Sequence, residues 1–135
     1  MNESSANLID RVLPKVAYRQ YVLSIPPVFR PFIARNKDLL TATFNIYNQA
    51  IKEHLIRKAN LPDETKKAVC GFTVIQRAGS ALNLNYHFHG CYAEGLYYQE
   101  NSEIKYYQVS EPTYGELRKI VLDIHNEVID LFTKK

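Results

Sequence analysis

In Leu82-Asn83-Leu84-Asn85-Tyr86-His87-Phe88-His89-Gly90-Cys91, apolar and polar side chains alternate residue by residue. Alternation at a period of two marks a β-strand with one buried face. Leu82, Leu84, Tyr86 and Phe88 fall on the side a core would cover, and Asn83, Asn85, His87, His89 and Cys91 fall on the other. That second face gathers two imidazoles, two carboxamides and a thiol. Residues two apart on a strand lie about 6–7 Å apart at their Cα atoms. His87 and His89 can therefore both reach one divalent ion, each through a neutral ring nitrogen. Two surface histidines above an ordinary core would produce the same pattern.

Two imidazoles rarely hold a catalytic metal alone, so a third ligand is sought on the preceding strand. Residues 69–77 (VCGFTVIQR) read as that strand, and Ala78-Gly79-Ser80 supplies a turn through which it can pair antiparallel with the histidine strand. Gln76 then lies beside the histidines if its side chain shares their face. Its amide oxygen is a neutral donor suited to a hard ion such as Mg²⁺ or Mn²⁺. An exposed strand glutamine is the plain alternative. Cys91 would favour a softer ion such as Zn²⁺ and reads as packed at the strand's end.

Further outward, residues 19–25 (RQYVLSI) stop at Pro26-Pro27 and read as a strand. A turn of helix over 28–34 is interrupted by Pro31. Leu40, Phe44, Tyr47, Ile51 and Leu55 form a helical stripe with Asn36 as its cap, Asp38 in the first turn and an end near Leu61-Pro62. His54 lies off this stripe and is expected in solvent. After the histidines, Glu94-Gly95 leads into a hairpin of residues 96–99 and 103–109, turned by Asn101-Ser102. Thr113-Tyr114-Gly115-Glu116 is a capping box. It opens a last helix with Leu117, Val121, Ile124, Val128 and Phe132 on one face, flanked by a partly packed His125. This order predicts an α+β fold, an antiparallel sheet with helices packed on one face, as a single domain over 1–135.

The composition agrees. At 135 residues, 46% hydrophobic and 12% aromatic, the chain can build one core and is not a disordered tail. No apolar run approaches the ~18 residues of a membrane span. The first residues lack the charged head and apolar stretch of a secretory leader. Two cysteines are too few for a disulfide scaffold, so reduced thiols and a cytoplasmic location are expected. Charge is unevenly spread: residues 11–77 hold twelve Lys/Arg against four Asp/Glu, a balance of +8, whereas 78–135 hold five against eight. A basic first half suits a polyanionic partner, though solvated helix faces give similar patterns.

The motifs also support a resemblance. His87-Phe88-His89 looks like the His-hydrophobic-His motif of the HUH endonucleases, metal-dependent enzymes that nick single-stranded DNA through a tyrosine. Arg11-Val12-Leu13-Pro14, Arg19-Gln20-Tyr21-Val22-Leu23-Ser24, Gln76-Arg77-Ala78-Gly79-Ser80-Ala81-Leu82-Asn83-Leu84-Asn85 and His87-Phe88-His89 follow in that order. Together they resemble the two-tyrosine transposases of rolling-circle insertion sequences, over nearly the whole chain. The resemblance implies an HUH-like fold, with His87 and His89 holding a divalent ion (Mg²⁺ or Mn²⁺) and Gln76 as third ligand. It implies single-stranded DNA at transposon ends as the partner, contacted through Arg19, Arg77, Asn83 and Asn85, with no membrane partner and a second copy of the chain as a further candidate. A non-catalytic nucleic-acid-binding module of the same shape is the alternative.

One feature departs from the family. Its attacking tyrosines lie on a segment downstream of the region matched here. None of the ten tyrosines has the Tyr-x-x-x-Tyr spacing that puts two on one helical face. The expectation is a domain truncated before its nucleophile, with Tyr114 as the outside candidate. Tyr97, Tyr98, Tyr106 and Tyr107 read as cross-strand packing, or as platforms for unpaired bases.

Overall fold

The computed structural model describes residues 15–78 and 85–133. Their order is β1 (Tyr18–Ser24), α1 (Arg30–Arg35), α2 (Lys37–Ala59), β2 (Lys67–Ala68), β3 (Gly71–Ala78), β4 (Asn85–Ala93), β5 (Gly95–Glu100), β6 (Glu103–Gln108) and α3 (Tyr114–Thr133). The fold is α+β with two antiparallel sheets, ordered β1-β4-β3 and β2-β5-β6. The pattern predicts one sheet; the β5–β6 hairpin instead takes β2 as its third strand. The cause lies in the link. Only Glu94 separates β4 from β5, whereas the tightest common hairpins turn on two residues, so the chain runs onward instead of folding back on β4. Glu94 is fixed at that corner: its N–H donates to Ala17 O (2.8 Å) and its carbonyl accepts from Val109 N (2.9 Å).

The core fills the space between the helices and the inner face of the first sheet. Phe88 of β4 is fully buried and is met edge-on by Phe44 and Tyr47 of α2, at centroid distances of 5.7 and 5.4 Å. The Tyr47 hydroxyl donates to Tyr21 O on β1 at 2.6 Å, tying helix to sheet. The ends of α2 follow local chemistry: Asn36 Oδ1 accepts from Asp38 N at 2.9 Å, and Asn60 adopts a left-handed conformation (φ 52°) at the C-cap. Pro31 does not interrupt α1. It sits in the first turn, where no intrahelical N–H is required of it.

Three expectations about helix faces fail. His54 is not solvated but buried at 1% exposure. The buried arc of α2 also takes in Leu39, Thr43 and Ala50 on the far side of Tyr47, because α2 is covered by the sheet on one flank and by α3 on the other. Burial lowers the basicity of the His54 imidazole, with Lys58 and Arg57 adding to the effect against an opposing pull from Glu116. In α3 the buried residues are Ile120, Ile124 and Val128, while Leu117 and Val121 stand 41% and 54% exposed. Phe132 packs on Phe29 and Phe32 beside α1. His125 is exposed instead of partly packed; it lines an apolar cavity of ≈ 190 Å³ with Leu23, Ile25, Phe29 and Val121.

The capping box forms as read. Thr113 N donates to Glu116 Oε1 (2.8 Å) and Glu116 N donates to Thr113 Oγ1 (3.1 Å). The same carboxylate accepts from Lys58 Nζ of α2 at 2.7 Å, so one side chain both caps α3 and ties it to α2. Lys58 and the Thr113 N–H hold the Glu116 carboxyl down to about 2. A lowered carboxylate pKa gives stability that is present above the ordinary value of 4.5 and lost as pH falls toward about 2. Glu116→Gln should cost about 1 kcal/mol near pH 7, after discounting for solvent screening. Urea unfolding of both proteins should show that gap closing by pH 2; a gap independent of pH would contradict the assignment.

Candidate functional site

The site is built on β4 because it is the central strand of its sheet. Register sets the rows of side chains. Ser24 of β1 and Gln76 of β3 lie directly opposite His87; Val22 and Val74 lie opposite His89; Gln20 and Phe72 lie opposite Cys91. Directly opposed residues in antiparallel strands share a face. His87, His89 and Gln76 therefore stand together on the outer face, away from α2 and α3. Phe88, between the two histidines, enters the core. The imidazoles are half-buried, with ring centroids 6.1 Å apart.

Two residues that the sequence reading did not single out complete this face. Ser24 Oγ lies 2.8 Å from His87 Nδ1, and the Gln20 amide nitrogen Nε2 lies 3.3 Å from His89 Nδ1. Both come from β1, where Gln20, Val22 and Ser24 alternate toward the same side. The alternation was visible in the sequence, but the pairing of β1 with the histidine strand was not. With Nδ1 of His87 engaged by the hydroxyl, its Nε2 is left facing the open side.

The donor set fits a hard divalent ion. Two imidazoles and the Gln76 amide on one face would supply three neutral ligands, and the Ser24 hydroxyl at His87 Nδ1 is a contact of the kind that orients metal-binding histidines. Among the described residues, no three His, Cys, Asp or Glu side chains form a group that could hold a metal, so the third ligand from the protein would be the amide. Val22 and Val74, 56% and 45% exposed, flank His89 and leave an apolar surface beside it.

At the other end of the face the second sheet closes over. Cys91 is buried, and burial pushes its thiol up from the ordinary value. Burial, together with neighbouring Cys70, Tyr97, Cys91 and Tyr106, pushes the Tyr18 phenol up to about 12. Tyr97 and Tyr106 pair across the hairpin with centroids 5.0 Å apart. Cys70 and Cys91 are both free thiols.

The remaining candidates are placed elsewhere. Arg19 and Arg77 lie on the face opposite the histidines, in register with Tyr92 and Tyr86. Arg19 is ion-paired with buried Glu94 and reaches Glu111 at 3.2 Å, and the Arg77 guanidinium sits 5.5 Å from the centre of the Tyr86 ring. Glu94, the carboxylate nearest the histidines in sequence, is thus spent on Arg19. Tyr114 opens α3 at 81% exposure. Asn85 pairs with Ala78 at the start of β4; its side chain, Asn83, the turn at Gly79-Ser80 and Arg11–Pro14 lie outside the described residues. Among the described residues no helix is long and apolar enough to cross a membrane. No family model, curated protein or solved structure matches this chain.

Proposed function

We propose that this chain is the metal-binding, single-strand-binding domain of a DNA transposase of the two-tyrosine HUH type. One observation carries the reading: the imidazoles of His87 and His89 share the open face of a central strand, with Gln76 opposite His87 and a β1 side chain on each Nδ1. His87, His89 and Gln76 would hold Mg²⁺ or Mn²⁺, which when bound polarises a phosphodiester oxygen. The chain itself orients His87 through Ser24. It offers Val22 and Val74 as apolar ground beside the site, and the basic balance of residues 11–77 favours a polyanion.

Attack on phosphorus requires a tyrosine oxygen within about 3 Å, in line with the leaving oxygen. Tyr21, Tyr47, Tyr86 and Tyr92 are buried on the far side of the sheet from the histidines or in the helix beneath it, and Tyr18, Tyr97 and Tyr106 belong to the closed end. The expected behaviour is therefore binding without cleavage. Calorimetry with Mn²⁺ should show one site in the wild type and none in a His87→Ala/His89→Ala double variant. Labelled single-stranded oligonucleotides should be retained in gels at low salt, less so as salt rises, with no covalent adduct. Equal Mn²⁺ binding by both proteins would refute the metal site. DNA binding with no response to metal would leave a non-catalytic nucleic-acid module. An adduct abolished by Tyr114→Phe would place the nucleophile on α3.

A further inference from the structure

We propose that Ser24 is a positioning residue that keeps the ring proton of His87 on Nδ1, so that its Nε2 lone pair is presented on the open face. The inference rests on the metal-site reading above and assigns it one residue of β1. A neutral imidazole carries one N–H and one lone pair, and the partner of one nitrogen decides which is which. A ring protonated on Nε2 would turn a proton toward the ion instead of a ligand.

For His87 the controlling group is fixed by register. Ser24 is its directly opposed residue on β1, and 2.8 Å separates Oγ from Nδ1. The hydroxyl can accept the Nδ1 proton in place, and the backbone ladder on both sides holds the two side chains in the same row. For His89 the directly opposed residues are Val22 and Val74, which offer neither donor nor acceptor. The diagonal neighbour Gln20 turns its amide nitrogen Nε2 toward Nδ1 at 3.3 Å, a donor that cannot take a ring proton. The device therefore belongs to His87, through the hydroxyl fixed opposite it.

The test reads the tautomer itself. Long-range ¹H–¹⁵N spectra of metal-free protein with ¹⁵N-labelled histidine, taken where the imidazoles are neutral, should show His87 protonated on Nδ1. Ser24 is exposed, so its variants should fold. Ser24→Ala should move His87 toward the Nε2–H form and Ser24→Thr should restore it. Mn²⁺ affinity should fall about 10- to 100-fold in Ser24→Ala and recover in Ser24→Thr, as is typical for groups behind metal-bound histidines. A wild-type His87 ring protonated on Nε2, or a tautomer that ignores Ser24→Ala, would overturn the proposal. A ring held on Nδ1 in a wild type that binds no Mn²⁺ would uphold the positioning while defeating the metal reading.

Discussion

Phe88→Ala is expected to destabilise the protein by about 3–5 kcal/mol, measured as the loss of unfolding free energy in urea. The ring is fully buried and braced edge-on by Phe44 and Tyr47, so its removal forfeits both transfer energy and two aromatic contacts. Collapse into the gap is hindered because the sheet above is held by β1 and β3, and α2 below is tied to β1 through Tyr47. The same substitution should weaken Mn²⁺ binding, although Phe88 touches no ligand: its anchorage fixes the pleat that turns His87 and His89 outward together. A cost below about 1 kcal/mol would mean that Phe88 is not the centre of the core.

Gly90→Ala should cost about 3 kcal/mol, near the upper end for overpacking. A methyl group at this position would fall well inside van der Waals distance of the Tyr47 hydroxyl and 2.9 Å from Tyr92 Cε2. The hydroxyl has little freedom to retreat, since it already donates to Tyr21 O at 2.6 Å in a buried site. Displacing it breaks that bond, which adds to the steric cost. Thermal unfolding of Gly90→Ala beside Tyr47→Phe/Gly90→Ala separates the two contributions: loss of the hydroxyl opens room, so the double variant should be less destabilised than the sum of the singles, with the Tyr92 contact keeping it below Tyr47→Phe alone. A double variant as destabilised as the sum of the singles would show that the clash lies elsewhere.

Much of this architecture is local enough to be read from residue order. The strand of Asn85–Ala93, the cap at Asn36, the box at Thr113 and Glu116, and the turn at Asn101-Ser102 each depend on neighbours a few positions away. The two turn residues adopt φ values of 53° and 65°, as a tight hairpin requires. What escaped was set by distant partners. Ser24 and Gln20 matter only because β1 lies beside β4, a pairing between residues more than sixty positions apart. His54 reads as solvated along one helix, yet it is enclosed once α3 covers a second flank of α2. Leu117 and Val121 extend an apolar stripe on α3 that is wider than the surface α2 offers to cover. Arg19 looks like a phosphate ligand until the corner at Glu94 brings a buried carboxylate to it.

The alternation along β4 gives the domain a division of labour that an engineer could use. Around the histidines every second residue belongs to the fold, and those between belong to whatever the open face meets. Residues 76, 87 and 89 form a three-position alphabet on that face, and rewriting it leaves Phe88 and its aromatic brace untouched. The scaffold could therefore be lettered for a chosen ion, with carboxylates for a harder one or thiolates for a softer one, while its folding instructions remain on the other side of the same strand.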